Sequence, residues 1–379
     1  MTDAKYSYDS LKKSYSDFMF PMISVVVGGK NFSENKHKLI ISDMCIDLST
    51  GFEASVATFS IYNTYNRETG QYELSRFKQF VSLGSSVSIS IGYSDRLTEV
   101  FVGFISSVQF INGVEPHHVE VTAMDVKGIM MAGQSARQLM ADNYKKAIEE
   151  IFQGELYQKL QSLGIYTTAS IAMTPDATSG RQQNESIEIV SESDYEFVVK
   201  AAKRFNYEFY IECGKIYFRK AKDTAENCLI ELQASGAVKD YTITYDMTGL
   251  VKKVEVRGMD VTKGMLVTAT ASTSNKISTG NKAKSLISHT SRVVIDAGVT
   301  SKEAAQYRAD SVLEDISYRF GSLECDCIGL PELMPGHFIR ITDLGEPCNT
   351  DFYVTHTRHI INDHDGYHTQ ITAKAATLV

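Results

Sequence analysis

Apolar residues recur along this chain at two different periods, and the changes of period divide it. In residues 1–20, Tyr8, Leu11, Tyr15 and Phe18 stand at helical spacing and Pro21 ends the pattern, which predicts an amphipathic arm over 1–21. From Met22 to about Asp125 the period becomes two. In "ASVATFSIYN", Ala57, Phe59 and Ile61 share one face while Val56, Thr58, Ser60 and Tyr62 share the other; in "SSVSISIGY", Val87, Ile89 and Ile91 line one face. Short alternating runs separated by turn residues read as an antiparallel barrel or sandwich, assigned to 22–130.

The helical period returns over 134–163, with Tyr144, Ala147, Ile148 and Ile151 on one face. The polar run 174–185 reads as a surface loop. "SESDYEFVVKAAKRFNYEFYIECGKIYFRK" (191–220) then predicts a capped helix and a hairpin. Ser193 and Glu196 have capping-box spacing, Tyr195, Val198, Val199, Ala202 and Phe205 share a face, Asn206 suits the helix end, and a Cys-Gly-Lys turn divides two alternating segments. These elements make 131–238 an α+β insert. From 239 to 379 strands dominate again in "YTITYD", "LVKKVEVRG", "GMLVTATAS", "SLECDCIGL", "GHFIRITDL" and "DFYVTHTRHII". A Ser/Thr/Asn/Lys-rich loop (272–291) and a helix over 301–318 interrupt them. The expected fold is mainly β: two similar antiparallel β-barrels flanking a small helix-containing domain.

The two strand-rich regions repeat one order of elements. Gly84 and Gly336 each introduce an alternating strand. A longer strand follows from Phe101-Val102 or Tyr353-Val354, and a polar turn leads to a last strand ending Val121-Thr122-Ala123 or Ile371-Thr372-Ala373. Duplication accounts for this order, and a repeat limits the architecture before any motif does.

Composition narrows the function. The 379 residues carry a net charge of −8 and no cluster of Lys and Arg, so nucleic-acid specificity is not expected. No apolar run reaches the length of a membrane span and no signal peptide is visible, so neither membrane insertion nor a conventional secretion route is expected. Six cysteines without a C-x-x-C pair fit reduced thiols.

Reaction chemistry is not evident. "VVVGGK" lacks the residues of a phosphate loop, and neither a nucleophile elbow nor a zinc-protease helix occurs. The densest candidate ligand set is His356, His359, Asp363, His364, Asp365 and His368, but His356 and His359 fall on opposite faces of a strand and Asp363–Gly366 reads as a turn. Glu192 and Asp194 suit a helix N-terminus, Glu149 and Glu150 a solvated helix face, and Cys213 a passive thiol. The expectation is no catalytic residue, no metal and no cofactor.

The insert resembles the motif of the phage late-control D and VgrG-type hub family, with Ser193, Asp194, Phe197, Ala202, Phe209, Gly214, Lys215 and Phe218 matching and Asn206 standing where that family often has Gly. "GLVKKVEVRGMD" is similar to the family's next strand. "SKEAAQYRADSVLEDI…GLPELMPGHFIRI" is similar to its helix and strand entry, at Gly329, Pro331, Leu333, Pro335 and Gly336. "YVTHTRHIINDHDGYHTQI" is similar to its final hairpin. The resemblance spans 22–375. It implies a structural baseplate hub of a contractile tail or injection system. Each such chain carries two tube-like barrels, and three chains form a pseudo-sixfold ring joining a hexameric tail tube to a trimeric spike. The implied partners are two further copies, a tube protein, wedge proteins and a spike on a separate polypeptide, since the chain ends soon after the last hairpin. The implied location is a virion tail or extracellular particle assembled in the bacterial cytoplasm. Tyr8, Leu11, Tyr15, Leu378 and Val379 are the interface candidates, the arm either clamping a neighbour or fraying. A tail-tip cell-wall hydrolase and a receptor- or carbohydrate-binding β protein are the alternatives.

Overall fold

The computed structural model describes residues 5–32, 38–94, 96–113, 116–177, 187–222, 229–260, 263–273 and 281–376. In chain order, the first region contains β1 (Tyr6–Ser7), α1 (Tyr8–Ser14), β2 (Pro21–Val27), β3 (Lys30–Asn31), β4 (Ile40–Ser49) and β5 (Val56–Tyr62). The short hairpin β6 (Tyr65–Asn66) and β7 (Gln71–Tyr72) and α2 (Leu74–Phe77) precede β8 (Ser86–Tyr93), β9 (Arg96–Ile111) and β10 (His118–Met124). The insert holds α3 (Lys127–Met130), β11 (Ser135–Leu139), α4 (Tyr144–Phe152), α5 (Glu155–Ser162), β12 (Thr168–Ile171), β13 (Ile187–Glu192), α6 (Asp194–Phe205), β14 (Tyr207–Glu212) and β15 (Lys215–Lys220). Next come β16 (Leu229–Gln233), α7 (Ala234–Ala237), β17 (Val238–Tyr245), β18 (Lys253–Asp260), β19 (Met265–Ser272), α8 (Asn281–Ile287), β20 (Ser291–Ile295) and α9 (Lys302–Ser317). The chain closes with β21 (Gly321–Ile328), β22 (Phe338–Thr342), β23 (Asp351–Asn362) and β24 (Gly366–Ala375).

The molecule is mainly β, and among the described residues its largest sheet has 14 strands. Two units of like topology form it. The first runs β2-β8-β9-β10-β5-β4 and the second β16-β22-β23-β24-β21-β17. They match strand for strand with one exception: β2 is antiparallel to β8, whereas β16 is parallel to β22. The long strands carry equivalent bulges. Thr122 pairs with Ser107 and Ala123 with Ile105, leaving Ser106 unpaired; Thr372 pairs with His356 and Ala373 with Val354, leaving Thr355 unpaired. Each extra residue donates its hydroxyl to the carbonyl across the ladder, Ser106 to Thr122 and Thr355 to Thr372, both at 3.1 Å. The duplication therefore extends to the side chains that stabilise the irregularity.

The two units are joined edge to edge. Strand β4 of the first pairs with β23 of the second from Met44–Ile361 to Ser49–His356, so one ladder runs through both. Their inner faces share one apolar core, which includes Ile46, Phe59, Ile61, Val121, Leu323, Phe352 and Ile371. The faces expected from alternation are the buried ones: Ala57, Phe59 and Ile61 are at most 1% exposed.

Five expectations are corrected. The arm neither frays nor presents its apolar stripe outward. Tyr8, Leu11 and Tyr15 are buried in this chain's own core, and β1 adds in parallel to β16. Ser135–Leu139 is a strand paired with β13 and not the start of a helix, because its short alternation finds a partner 48 to 57 residues later, from Leu139–Ile187 to Ser135–Glu192. The described residues between 250 and 320 do not join the second unit's ladder. Strands β18, β19 and β20 make their own three-stranded sheet, and α9 covers it with Ala305, Ala309, Leu313 and Ile316 against Val254 and Val256. Within the expected 272–291 loop, 281–287 is helical. The insert boundary also shifts, since β16 pairs with β22 in the large sheet.

Candidate functional site at the junction of the two units

Helix α6 forms where the sequence signals it. The Ser193 hydroxyl accepts from the Glu196 backbone N–H at 3.1 Å, the Glu196 carboxylate accepts from the Ser193 N–H at 2.8 Å, and Asn206 ends the helix at φ 54°. Asp194 caps nothing itself; it accepts from Arg137 at 2.8 Å and from the Tyr157 hydroxyl at 2.9 Å. Glu192 is bonded to Lys200. Phe197, Ala202, Phe209 and Phe218 are core residues of the insert, and Phe209 pairs with Phe218 across the β14–β15 hairpin.

That hairpin is a wedge between the two units. Its turn holds Cys213 and Gly214 at φ 46° and 75°, as a two-residue primed turn requires. Gly214 lies against the first unit, where a Cβ would come within 2.9 Å of Val102, and the Cys213 thiol donates to the Glu99 carbonyl at 3.0 Å. Burial pushes that thiol up to about 12, so it is not a nucleophile at neutral pH. Lys215 follows the turn with its ammonium 4.4 Å from the Tyr217 ring centre.

The second unit meets the other face of the hairpin. Arg219 donates to the Gly336 carbonyl at 3.1 Å, and Tyr353 donates to the Glu208 carboxylate at 2.6 Å. Gly336 has φ 87°, and a Cβ there would lie 2.8 Å from the Tyr210 hydroxyl. Burial raises the Glu208 carboxyl above its usual range, opposed by the Tyr353 hydroxyl, Arg219 and Lys222. The rest of the segment seals the same seam. Pro331, Leu333 and Pro335 are buried, the Gly329 carbonyl accepts from Tyr93 of the first unit at 2.8 Å, and a Cβ on Gly329 would meet the Tyr367 ring. The arm joins here, with Tyr15 donating to Glu332 at 2.7 Å. Gly214, Gly329, Pro331, Leu333, Pro335 and Gly336 thus lie at the seam as packing and close-approach positions, while Ser193 and Asp194 make hydrogen bonds within the insert. Leu378 and Val379 lie outside the described residues.

The histidines separate as expected from strand alternation. His359 is fully buried, with Nδ1 3.2 Å from the Thr369 hydroxyl and 3.0 Å from that of Tyr367; His356 bonds Asp47 on the outer face, beside the Arg358–Asp47 pair at 2.8 Å. Asp363–Asp365 form a turn whose backbone bonds to Asn362. Among the described residues no group of three or more His, Cys, Asp or Glu side chains is arranged to hold a metal ion, and no helix is long and apolar enough to cross a membrane. A polar concavity of about 360 Å³ on the outer face of the second unit is lined by Asp240, Glu324, Asp326, His356, Arg358 and Gln370.

The sequence reading missed two buried groups of polar contacts. One is Glu208–Arg219–Tyr353. The other is Asp125 and Lys127, where the first unit passes into the insert. The Lys127 ammonium, fully buried, donates to the carbonyls of Gly51 at 3.0 Å and Glu53 at 2.8 Å, while Asp125 accepts from the Ser55 N–H at 2.8 Å. Burial lowers the lysine's pKa and raises the aspartate's. A lone Lys in "AMDVKGIM" carries no sign of burial, because its partners are backbone carbonyls 74 and 76 residues away.

A family model described as the Alg8 N-terminal domain matches residues 53–363, from just before β5 to just after β23. The chain belongs to that family. The match to the Alg8 N-terminal domain runs through β5 to β23, taking in the insert and the α9 unit and leaving out β2 and β4 of the first unit and β24 of the second. No curated protein sequence matches the chain. Solved structures share the fold at low identity. A tail protein from Neisseria meningitidis MC58 is 14% identical with a TM-score of 0.64, covering 94% of this chain and 96% of that one. The 43 kDa tail protein of prophage MuSo2 from Shewanella oneidensis is 15% identical with a TM-score of 0.63, covering 93% and 98%. An Escherichia coli component of the type VI secretion system, described as similar to the T4 bacteriophage tail proteins gp27 and gp5, is 11% identical with a TM-score of 0.54, covering 93% and 76%.

Proposed function

We propose that this chain is the structural hub of a contractile tail or injection system. Three copies form a ring of six similar units that joins a hexameric tail tube to a trimeric spike, with wedge proteins around it. The hub acts without catalysis or cofactor, by matching symmetries and carrying load, and it works in a virion tail or an extracellular particle. The observation that carries this reading is the duplicated unit. Two units of like strand order lie in one ladder within one chain, so a threefold assembly presents six similar surfaces to a sixfold partner. The motifs resembling late-control D and VgrG-type hubs, and the tail-protein fold, point the same way.

Native mass spectrometry of the purified protein tests the proposal, together with images of it mixed with the tube protein of the same particle. The expected result is a three-chain mass and end-on rings that cap tube ends. A strict monomer that joins neither tube nor spike overturns it. Release of soluble fragments from purified peptidoglycan would favour the hydrolase instead.

A further inference from the structure

Equivalence of the two units maps the junction inside the chain onto two strand edges that have no partner in it. Ser107 and His356 both stand opposite the ladder threonine that adjoins the bulge, Thr122 or Thr372, so Ser107 corresponds to His356, Gln109 to Arg358 and Phe110 to His359. Following the ladder across, Thr122 leads through Thr58 to Cys45, and Thr372 leads through Glu324 to Thr242. Strand β17 is therefore the counterpart of β4, with Ile243 matching Ile46 and Thr244 matching Asp47. Within the chain, β4 lies beside the part of β23 that follows the bulge, with Asp47 opposite Arg358 and Ile46 opposite His359. Among the described residues nothing pairs with the matching edge of β9, Ser107–Phe110, or with the outer edge of β17.

Resting on the hub reading, we infer that these two edges join successive copies: β17 of one copy lies antiparallel beside β9 of the next, with Thr244 opposite Gln109 and Ile243 opposite Phe110. The side chains support a second copy of this chain as the occupant. Phe110 is 49% exposed although its counterpart His359 is buried, and Ile243 is only partly covered where Ile46 is fully so. Both sit on the inner face and would extend the shared core. The outer-face pair Gln109 and Thr244 replaces the charged pair Arg358–Asp47 with uncharged groups, so no buried charge is stranded. Each edge has a stop. Lys239 and Asp240 place charges at the start of β17, and the Tyr72 hydroxyl holds the Ile111 carbonyl at 3.2 Å, which confines pairing to the segment between. The interface is head-to-tail, and with the threefold rotation of the hub reading it closes into a ring.

Disulfide trapping tests the register. Directly opposed residues of an antiparallel pair bring their Cα atoms to about 4.5–5.5 Å, inside the roughly 4.4–6.8 Å that a disulfide spans. The full-length double variant Gln109→Cys with Thr244→Cys should give, on oxidation, reducible covalent multimers ending at a closed ring. Wild type, each single variant, and Gln109→Cys with Thr242→Cys, shifted two residues on the same face, should not. Phe110→Asp changes an exposed side chain; it should keep the circular-dichroism spectrum and weaken assembly at least tenfold. A three-chain mass with no 109–244 cross-link, or with undiminished assembly of the Phe110→Asp variant, overturns the inference and leaves the hub standing. Cross-linking through 109–244 into a ring of another number supports the pairing and overturns the hub. Cross-linking of the single variants, edge to like edge, overturns the pairing.

Discussion

The two units share a backbone plan and differ in what fills it. At matching inner positions the first has Phe59, Ile61, Val108, Phe110 and Val119, while the second has Cys325, Cys327, Thr357, His359 and Thr369. The apolar set needs only contact. The polar set is satisfied only in part: His359 Nδ1 bonds Thr369 and Tyr367 and the Cys327 thiol bonds the Thr369 carbonyl, while Thr357 Oγ1 and His359 Nε2 are buried with no hydrogen-bond partner among the described residues. What the units keep in common is the order of strands and a hydroxyl-bearing extra residue just past the point where each long strand leaves its first neighbour. Strand β23 leaves β22 after Tyr353 and meets β4 from His356, with the bulge between. Topology and the bulge are thus the repeated features, and core chemistry is free to diverge behind them.

Substitutions that make the units more alike, or that pull them apart, sharpen this comparison. The largest effect is expected at the seam. Gly336→Ala places a side chain at positive φ and against Tyr210 and Arg219, and should cost about 3 kcal/mol in chemical denaturation, whereas a change at Gly113, whose Cβ position is open, should be near neutral. Tyr353→Phe gives the second unit the residue that Phe104 supplies in the first. It removes the donor to a buried carboxylate and should cost about 2 kcal/mol by the same measurement.

Acidification should separate the units next. Burial holds the His359 pKa near 3 against an ordinary 6.5. The unfolded chain therefore takes up a proton below pH 6.5 that the folded chain refuses until about pH 3. Stability is complete above that window and falls as pH drops through it, by on the order of 2 kcal/mol between pH 7 and pH 5. Urea midpoints at the two pH values measure the loss, and His359→Phe, matching Phe110, should flatten it. The smallest effect is expected at the bulges. Ser106→Ala and Thr355→Val each remove one hydroxyl bond and should each cost about 1 kcal/mol. Unequal losses would show that the bulges are alike in geometry only.

Local order was legible along the chain. The cap at Ser193, the Asn206 end, the alternating faces of β5 and β8 and the Asp363–Asp365 turn all follow from residues within a few positions of one another. Errors gathered where partners are distant. The arm's apolar stripe has the same spacing whether it faces a neighbour or its own chain, and only the Tyr15–Glu332 and Tyr8–Gly236 contacts decide between them. The strands "LVKKVEVRG" and "GMLVTATAS" alternate as barrel strands do, yet they pair with β20 and close on α9. Alternation specifies a buried face without naming its partner.

By itself, the sequence determined the β-rich duplication, the helix caps and the turns, because propensity, period and φ preference act over a few residues. Tertiary structure alone decided that the two units share one ladder through β4 and β23, that the α9 unit stands apart, and that Lys127 and Glu208 are buried. Each of those depends on a partner far along the chain, and burial or pairing at that distance leaves no periodic trace in the residues concerned.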